Sequence, residues 1–132
     1  MKQFLSMSVF AGLLIGIAGL VYLRVGGLAG AVLFAFGLLC VVMCGAQLYT
    51  GKAGFLPYRQ FTRLLIMLAG NAVGCLLAAC IARYCGTEAL HTNLDTILAA
   101  RQSASWDALL VTSIGTGMIM TLAVYGARRG HY

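Results

Sequence analysis

Few residues of this sequence are equipped for chemistry, and their placement excludes most reactions. The five cysteines are Cys40, Cys44, Cys75, Cys80 and Cys85, four of them inside long apolar runs. They form no C-x-x-C pair and have no histidine at ligand spacing, so they read as small packing residues and no metal is expected. Cys85, near the end of its run, is the one placed to pair with another chain. The histidines, His91 and His131, lie on opposite sides of the last apolar run. They cannot share one haem or metal within a single chain. The acids Glu88, Asp95 and Asp107 all fall outside or at the edge of the apolar runs. A proton-coupled exporter of the small four-helix type needs a carboxylate in mid-membrane, and the first run has none. No nucleophile–base pair and no phosphate loop is present. The chain is therefore expected not to be an enzyme and to carry no cofactor.

The stretch with most chemical character is Gly45-Ala46-Gln47-Leu48-Tyr49-Thr50-Gly51, followed by Lys52, Gly54 and Pro57. A long apolar run ends here in polar and glycine residues. Two readings stand side by side. The stretch is either the cytoplasmic end of a membrane span or a helix interrupted at depth. Irregular backbone at depth is tolerated only where protein or a cavity surrounds it, and interrupted helices mark substrate sites in transporters.

The elements that would position these residues follow from composition. Hydrophobic residues make up 61% of the 132 and charged residues 9%. Soluble domains are about 25% charged, so a soluble fold is excluded; so is disorder, with a single proline and no polar tracts. A spanning helix needs about 20 apolar residues. Four segments qualify, at about 4–23, 28–49, 61–82 and 106–127, and the whole of 1–132 is expected to be one transmembrane domain. The first run is longer than the ~7–15 residues of a signal-peptide core, so it is read as a span. Thr112, Ser113, Thr116 and Thr121 dilute the fourth run.

Gly12 and Gly16, Gly26 and Gly30, and Gly70 and Gly74 are each four apart, a spacing that lets helices approach closely in lipid. Within 83–105, Leu90, Leu94, Ile97 and Leu98 share one helix face, and Thr92 and Asp95 have capping-box spacing. An amphipathic helix on the outer membrane surface and an ordinary ordered loop fit this segment equally. The net charge of +6 reads as topology, not as nucleic-acid binding, because the bases do not cluster with aromatics. One side would receive Lys2, Lys52, Arg59, Arg63, Arg128 and Arg129, six bases and no acids. The other would receive Arg24, Arg83 and Arg101 with Glu88, Asp95 and Asp107. The positive-inside rule then puts both termini in the cytoplasm.

Three motifs carry a resemblance. Gly37-Leu38-Leu39-Cys40-Val41-Val42-Met43-Cys44-Gly45-Ala46-Gln47-Leu48-Tyr49-Thr50-Gly51 resembles the second-helix signature of the formate/nitrite transporter family, which reads like GLxxVxxxGAELFTGN. Gly70-Asn71-Ala72-Val73-Gly74 resembles that family's third-helix GNxxG, and Met120-Thr121-Leu122-Ala123-Val124-Tyr125 is similar to the end of its fourth helix. The resemblance covers nearly the whole chain. It implies an all-α, polytopic membrane helix bundle with four transmembrane helices, like the N-terminal two-thirds of an aquaporin-like channel. The family's members are pentamers of six-span subunits, each with its own pore for formate, nitrite or hydrosulfide.

By resemblance, Leu48, Tyr49 and Thr50 fall on the loop that breaks the second helix. Leu38 falls on a hydrophobic constriction, with Leu48 and Tyr49 across it. The Thr50 hydroxyl would face the substrate near the pore centre, and Arg101 would attract anions near the outer mouth. Gly117 falls where the family carries a pore-lining asparagine, Gln47 where it carries an acid and Lys52 where it carries Asn. The stretch from Thr50 to Asn71 is several residues short of the family pattern. The resemblance further implies a truncated member lacking the fifth and sixth helices and the central histidine, so a homo-oligomer or a complementary chain would close the pore. The expected function is passage of a small monovalent anion across the inner (plasma) membrane; the alternative is a non-transporting scaffold or inactive remnant. The charge count predicts that reporters fused after Tyr132 and near Thr92 report opposite sides of the bilayer, with Tyr132 inside; finding it outside overturns the orientation.

Overall fold

The computed structural model describes residues 2–54, 58–85 and 88–129. Every regular element among them is helical. The α-helices are α1 (Lys2–Val25), α2 (Gly27–Met43), α3 (Tyr49–Lys52), α4 (Phe61–Cys85), α5 (Glu88–Gln102) and α6 (Trp106–Arg129), with a 3-10 turn over Tyr58–Gln60 before α4. His131 lies outside the described residues, as do the side chains of Cys85, Arg128 and Arg129.

Among the described residues, three helices are long and apolar enough to cross a membrane: α1, α4 over Phe61–Tyr84, and α6 over Trp106–Ala127. The expected second span differs. It does not run to Tyr49 but stops at Met43, so α2 has 17 residues. At 1.5 Å per residue that is about 26 Å, short of the ~30 Å hydrocarbon core. The chain reverses between α1 and α2 through Gly26 and Gly27, whose φ angles of 67° and 54° suit glycine. The Gly26 amide donates to the Tyr22 carbonyl at 2.8 Å, which satisfies an otherwise orphaned end of α1. The hairpin packs Gly30 on Tyr22 and Gly37 on Ala18, and the Tyr22 and Phe34 rings meet edge to face at 6.4 Å.

The closest helix crossing joins α1 to α4. Gly12 and Gly16 on α1 face Asn71, Cys75 and Ala78 on α4, while Gly70 and Gly74 on α4 face Ser8, Val9 and Gly12. A Cβ on Gly12 would strike the Asn71 backbone, and one on Gly74 would strike the Val9 carbonyl. Two of the three expected glycine pairs thus face each other across one crossing, where backbones approach because no side chain intervenes. The third pair divides its work, Gly26 making the turn and Gly30 the packing. The Cys75 thiol sits in the same crossing, 3.4 Å from the Gly12 carbonyl.

Residues 88–102 resolve the two readings of that segment in favour of a helix. The Asn93 amide donates to the Leu23 carbonyl at 2.6 Å, tying α5 to the last turn of α1. The expected capping box fails because the helix begins at Glu88: Thr92 lies inside it and donates back to the Glu88 carbonyl at 3.0 Å. Of the three long apolar helices, α6 is the least covered. It buries 6% of its most apolar window against the rest of the chain, where α1 buries 22% and α4 28%.

Candidate functional site

The site is organised by the end of α2. Cys44 closes that helix, Gly45 takes φ +63°, and two backbone bonds complete the stop: Gly45 N–H to the Val42 carbonyl at 3.1 Å and Ala46 N–H to the Val41 carbonyl at 3.0 Å. This is a Schellman arrangement, which needs a left-handed residue after the helix and favours glycine there. Its usual apolar contact is present too, because Val41 and Ala46 share one buried cluster with Ala11 and Leu48. Leu48 is extended, and a new helical turn starts at Tyr49.

Position along the neighbouring helices shows how deep this break lies. The Gln47 amide donates to the Met7 carbonyl of α1 at 3.3 Å. Asn71, ten residues into α4 and so about 15 Å along it, reaches the same segment. Its Nδ2 donates to the Ser8 carbonyl at 2.7 Å and the Gln47 carbonyl at 2.9 Å. Its Oδ1 accepts the Tyr49 amide at 2.8 Å. Asn71 is 8% exposed. One buried side chain therefore caps α3 from another helix, satisfies the carbonyl before it and locks both to α1. The polar stretch is a helix break held by α1 and α4, not a frayed helix end. The Lys52 ammonium donates to the Gln47 side-chain carbonyl across the same turn.

The short α3 then packs on α6. Gly51 rests against Val124 and Gly54 against Thr121, and the Thr121 hydroxyl donates to the Thr50 carbonyl at 3.4 Å. This places Thr50 on a cleft of about 530 Å³ between α5 and α6, lined also by Arg101, Thr112, Ser113, Thr116 and Gly117. From Leu109 to Met120 the cleft follows α6, about 16 Å at helical rise. Arg101, in the last turn of α5, is its charged lining residue. Thr112 and Thr116 donate to the Ala108 and Thr112 carbonyls, each at 2.7 Å, so their oxygens offer lone pairs to the cleft.

The six candidate residues thus separate into groups. Thr50, Arg101 and Gly117 line the cleft together. Leu38 packs against the buried cluster that holds Leu48, and Leu48 also borders a void of about 10 Å³ beside Gly51 and Val124. Tyr49 is half-buried between the two groups, held by its amide on Asn71. Sequence reasoning used Asn71 only as part of a motif and missed its three-way bond. It also read Thr112, Ser113 and Thr116 as dilution of a span. Their common face, with Thr112 and Thr116 one turn apart, was the available signal.

The fold and this site define a polytopic membrane helix bundle with one helix broken beside a cleft that carries Arg101 and several hydroxyls. A family model described as formate/nitrite transporter matches residues 1–131, and the chain belongs to that family. Membership gives it a transporter-like role in a family of transporters, not of enzymes. Comparison with curated proteins gives no match. Comparison with solved structures gives none either. The Asn71 geometry predicts that Asn71→Leu, which leaves the Tyr49 amide and Gln47 carbonyl without partners, loosens the break by about 2–4 kcal/mol, or roughly 30- to 1,000-fold in amide exchange. Hydrogen exchange should accelerate over residues 45–52 and not over the middle of α1; unchanged exchange at 45–52 contradicts the assignment.

Proposed function

We propose that the chain conducts a small monovalent anion, formate, nitrite or one of similar size, along the α5–α6 cleft. The observation that supports this most is that Arg101 and Thr50 line one cleft, with Thr50 on a helix break that Asn71 holds in place. Arg101 raises the local anion concentration at the mouth, and its effect falls as salt screens it. Thr50 offers a hydroxyl where the bilayer supplies no water. Gly117 leaves the wall beside it open, since nothing lies within 4 Å of where its Cβ would be. Leu38, Leu48 and Tyr49 form the narrow, apolar part of the pathway beyond Thr50.

Such a constriction favours the neutral acid, because an anion must shed water with little replacement. The lone pairs of Thr112 and Thr116 act in the same sense, accepting a bond from the acid O–H once the anion has taken up a proton. The uncovered face of α6 is closed by a second copy of the chain or by a complementary chain. The membrane is the inner (plasma) membrane, with the termini in the cytoplasm and the Arg101 mouth facing outward.

Reconstitution into liposomes with a pH-sensitive dye tests the reading. Formate entry should exceed that of empty liposomes and rise as external pH falls and the acid protonates. Arg101→Ala should lower it by roughly tenfold at low ionic strength and less at high salt. Thr50→Ala should reduce flux, and Leu48→Ala should relax selectivity. Flux no greater than in empty liposomes, with and without a co-reconstituted partner, removes the proposal and leaves a non-transporting scaffold.

A further inference from the structure

A second cavity, of about 390 Å³, lies away from the break at residues 44–48, between the ends of α1 and α4 and the first half of α5. Leu20 and Leu23 come from α1, Ala79 and Ala82 from α4, and Leu90 and Leu94 from α5. The two remaining lining residues are basic or basic-capable, Arg83 and His91. Glu88 and Asp95, the acids of α5, do not line it.

The construction of this groove is specific. α1 and α4 cross tightly near Gly12 and Gly74. Towards Leu23 and Arg83 small alanines line the α4 side, and α5 is laid across the opening by the Asn93 bond to the Leu23 carbonyl. The result is an apolar trough that opens at the level where two spanning helices end, with a guanidinium and an imidazole at its rim. Apolar walls bury hydrocarbon, and an exposed guanidinium at a helix end pairs with phosphate oxygens.

We propose that this groove binds an anionic phospholipid, with an acyl chain along Leu20, Ala79, Ala82 and Leu94 and the headgroup phosphate on Arg83 and His91. Charge complementarity selects the occupant. Six apolar side chains give a free phosphate nothing to bind, and a neutral hydrocarbon leaves Arg83 unused. Basic pockets between transmembrane helices recognise acidic headgroups by the same chemistry. The lipid would brace α5 against α1 and α4, and so hold the helix that carries Arg101.

Native mass spectrometry of the full chain in mild detergent provides the test. Phosphatidylglycerol, phosphatidylcholine of the same acyl chains, and inorganic phosphate are each titrated. Phosphatidylglycerol should be retained, the other two much less. Arg83→Gln, at an exposed position, should lower phosphatidylglycerol retention roughly fivefold, the worth of one basic residue at a membrane surface. His91→Gln should lower it further in the double variant. Arg59→Gln, a basic residue outside the groove, should leave it unchanged, and all variants should keep the parent's helical circular dichroism. Equal retention of both lipids, equal binding of free phosphate, or equal losses from Arg83→Gln and Arg59→Gln overturns the proposal.

Discussion

The three bonds of the Asn71 side chain are the interaction on which the rest of the structure depends. An apolar helix that stops inside a membrane exposes backbone groups that lipid cannot satisfy. Here the Schellman turn at Gly45 closes most of them within the chain. The Gln47 carbonyl and the Tyr49 amide lie beyond that turn, and Asn71 takes both. Its third bond, to the Ser8 carbonyl, fixes the break relative to α1. Without that side chain the Gln47 carbonyl and the Tyr49 amide would lose their partner, and α3 would lose the cap at its first residue.

The glycine crossing makes this bond set geometrically available. A short amide side chain on α4 reaches a main-chain carbonyl of α1 only when the two backbones nearly touch. Gly12, Gly70 and Gly74 provide that contact within one turn of Asn71 or Ser8. The consequences pass outward: α3 is set, Gly51 and Gly54 accept α6 against it, and Thr50 arrives on the cleft that Arg101 enters from α5. The position of Thr50 therefore depends on a contact between helices more than sixty residues apart in sequence.

Hydrophobic run length made the bundle legible from sequence, because lipid imposes that signal on every span. The break was not decidable locally, since glycine and polar residues mark a span's end and a helix interruption alike. Only the tertiary bonds to Met7, Ser8 and Asn71 distinguish them. The Leu90–Leu94–Ile97 periodicity was a sound sign of α5. The Thr92–Asp95 spacing was not a cap, because the helix already runs from Glu88. The hydroxyls of α6 were present in the sequence but lowered its hydropathy, and their meaning as a cleft wall appears only once Thr50 and Arg101 are placed beside them.

The central claim is that two residue steps across the break, from Leu48 to Thr50, carry the chain from a closed apolar constriction into an open cleft. Substituted-cysteine accessibility tests it most directly, in a background with the native cysteines replaced by alanine and the protein in liposomes. A small water-soluble thiosulfonate should modify Thr50→Cys and Thr116→Cys readily, and formate should slow both reactions. Leu48→Cys should stay protected, and become reactive when Asn71→Leu is added. Modification of Leu48→Cys as fast as Thr50→Cys in the Asn71 parent would contradict the account.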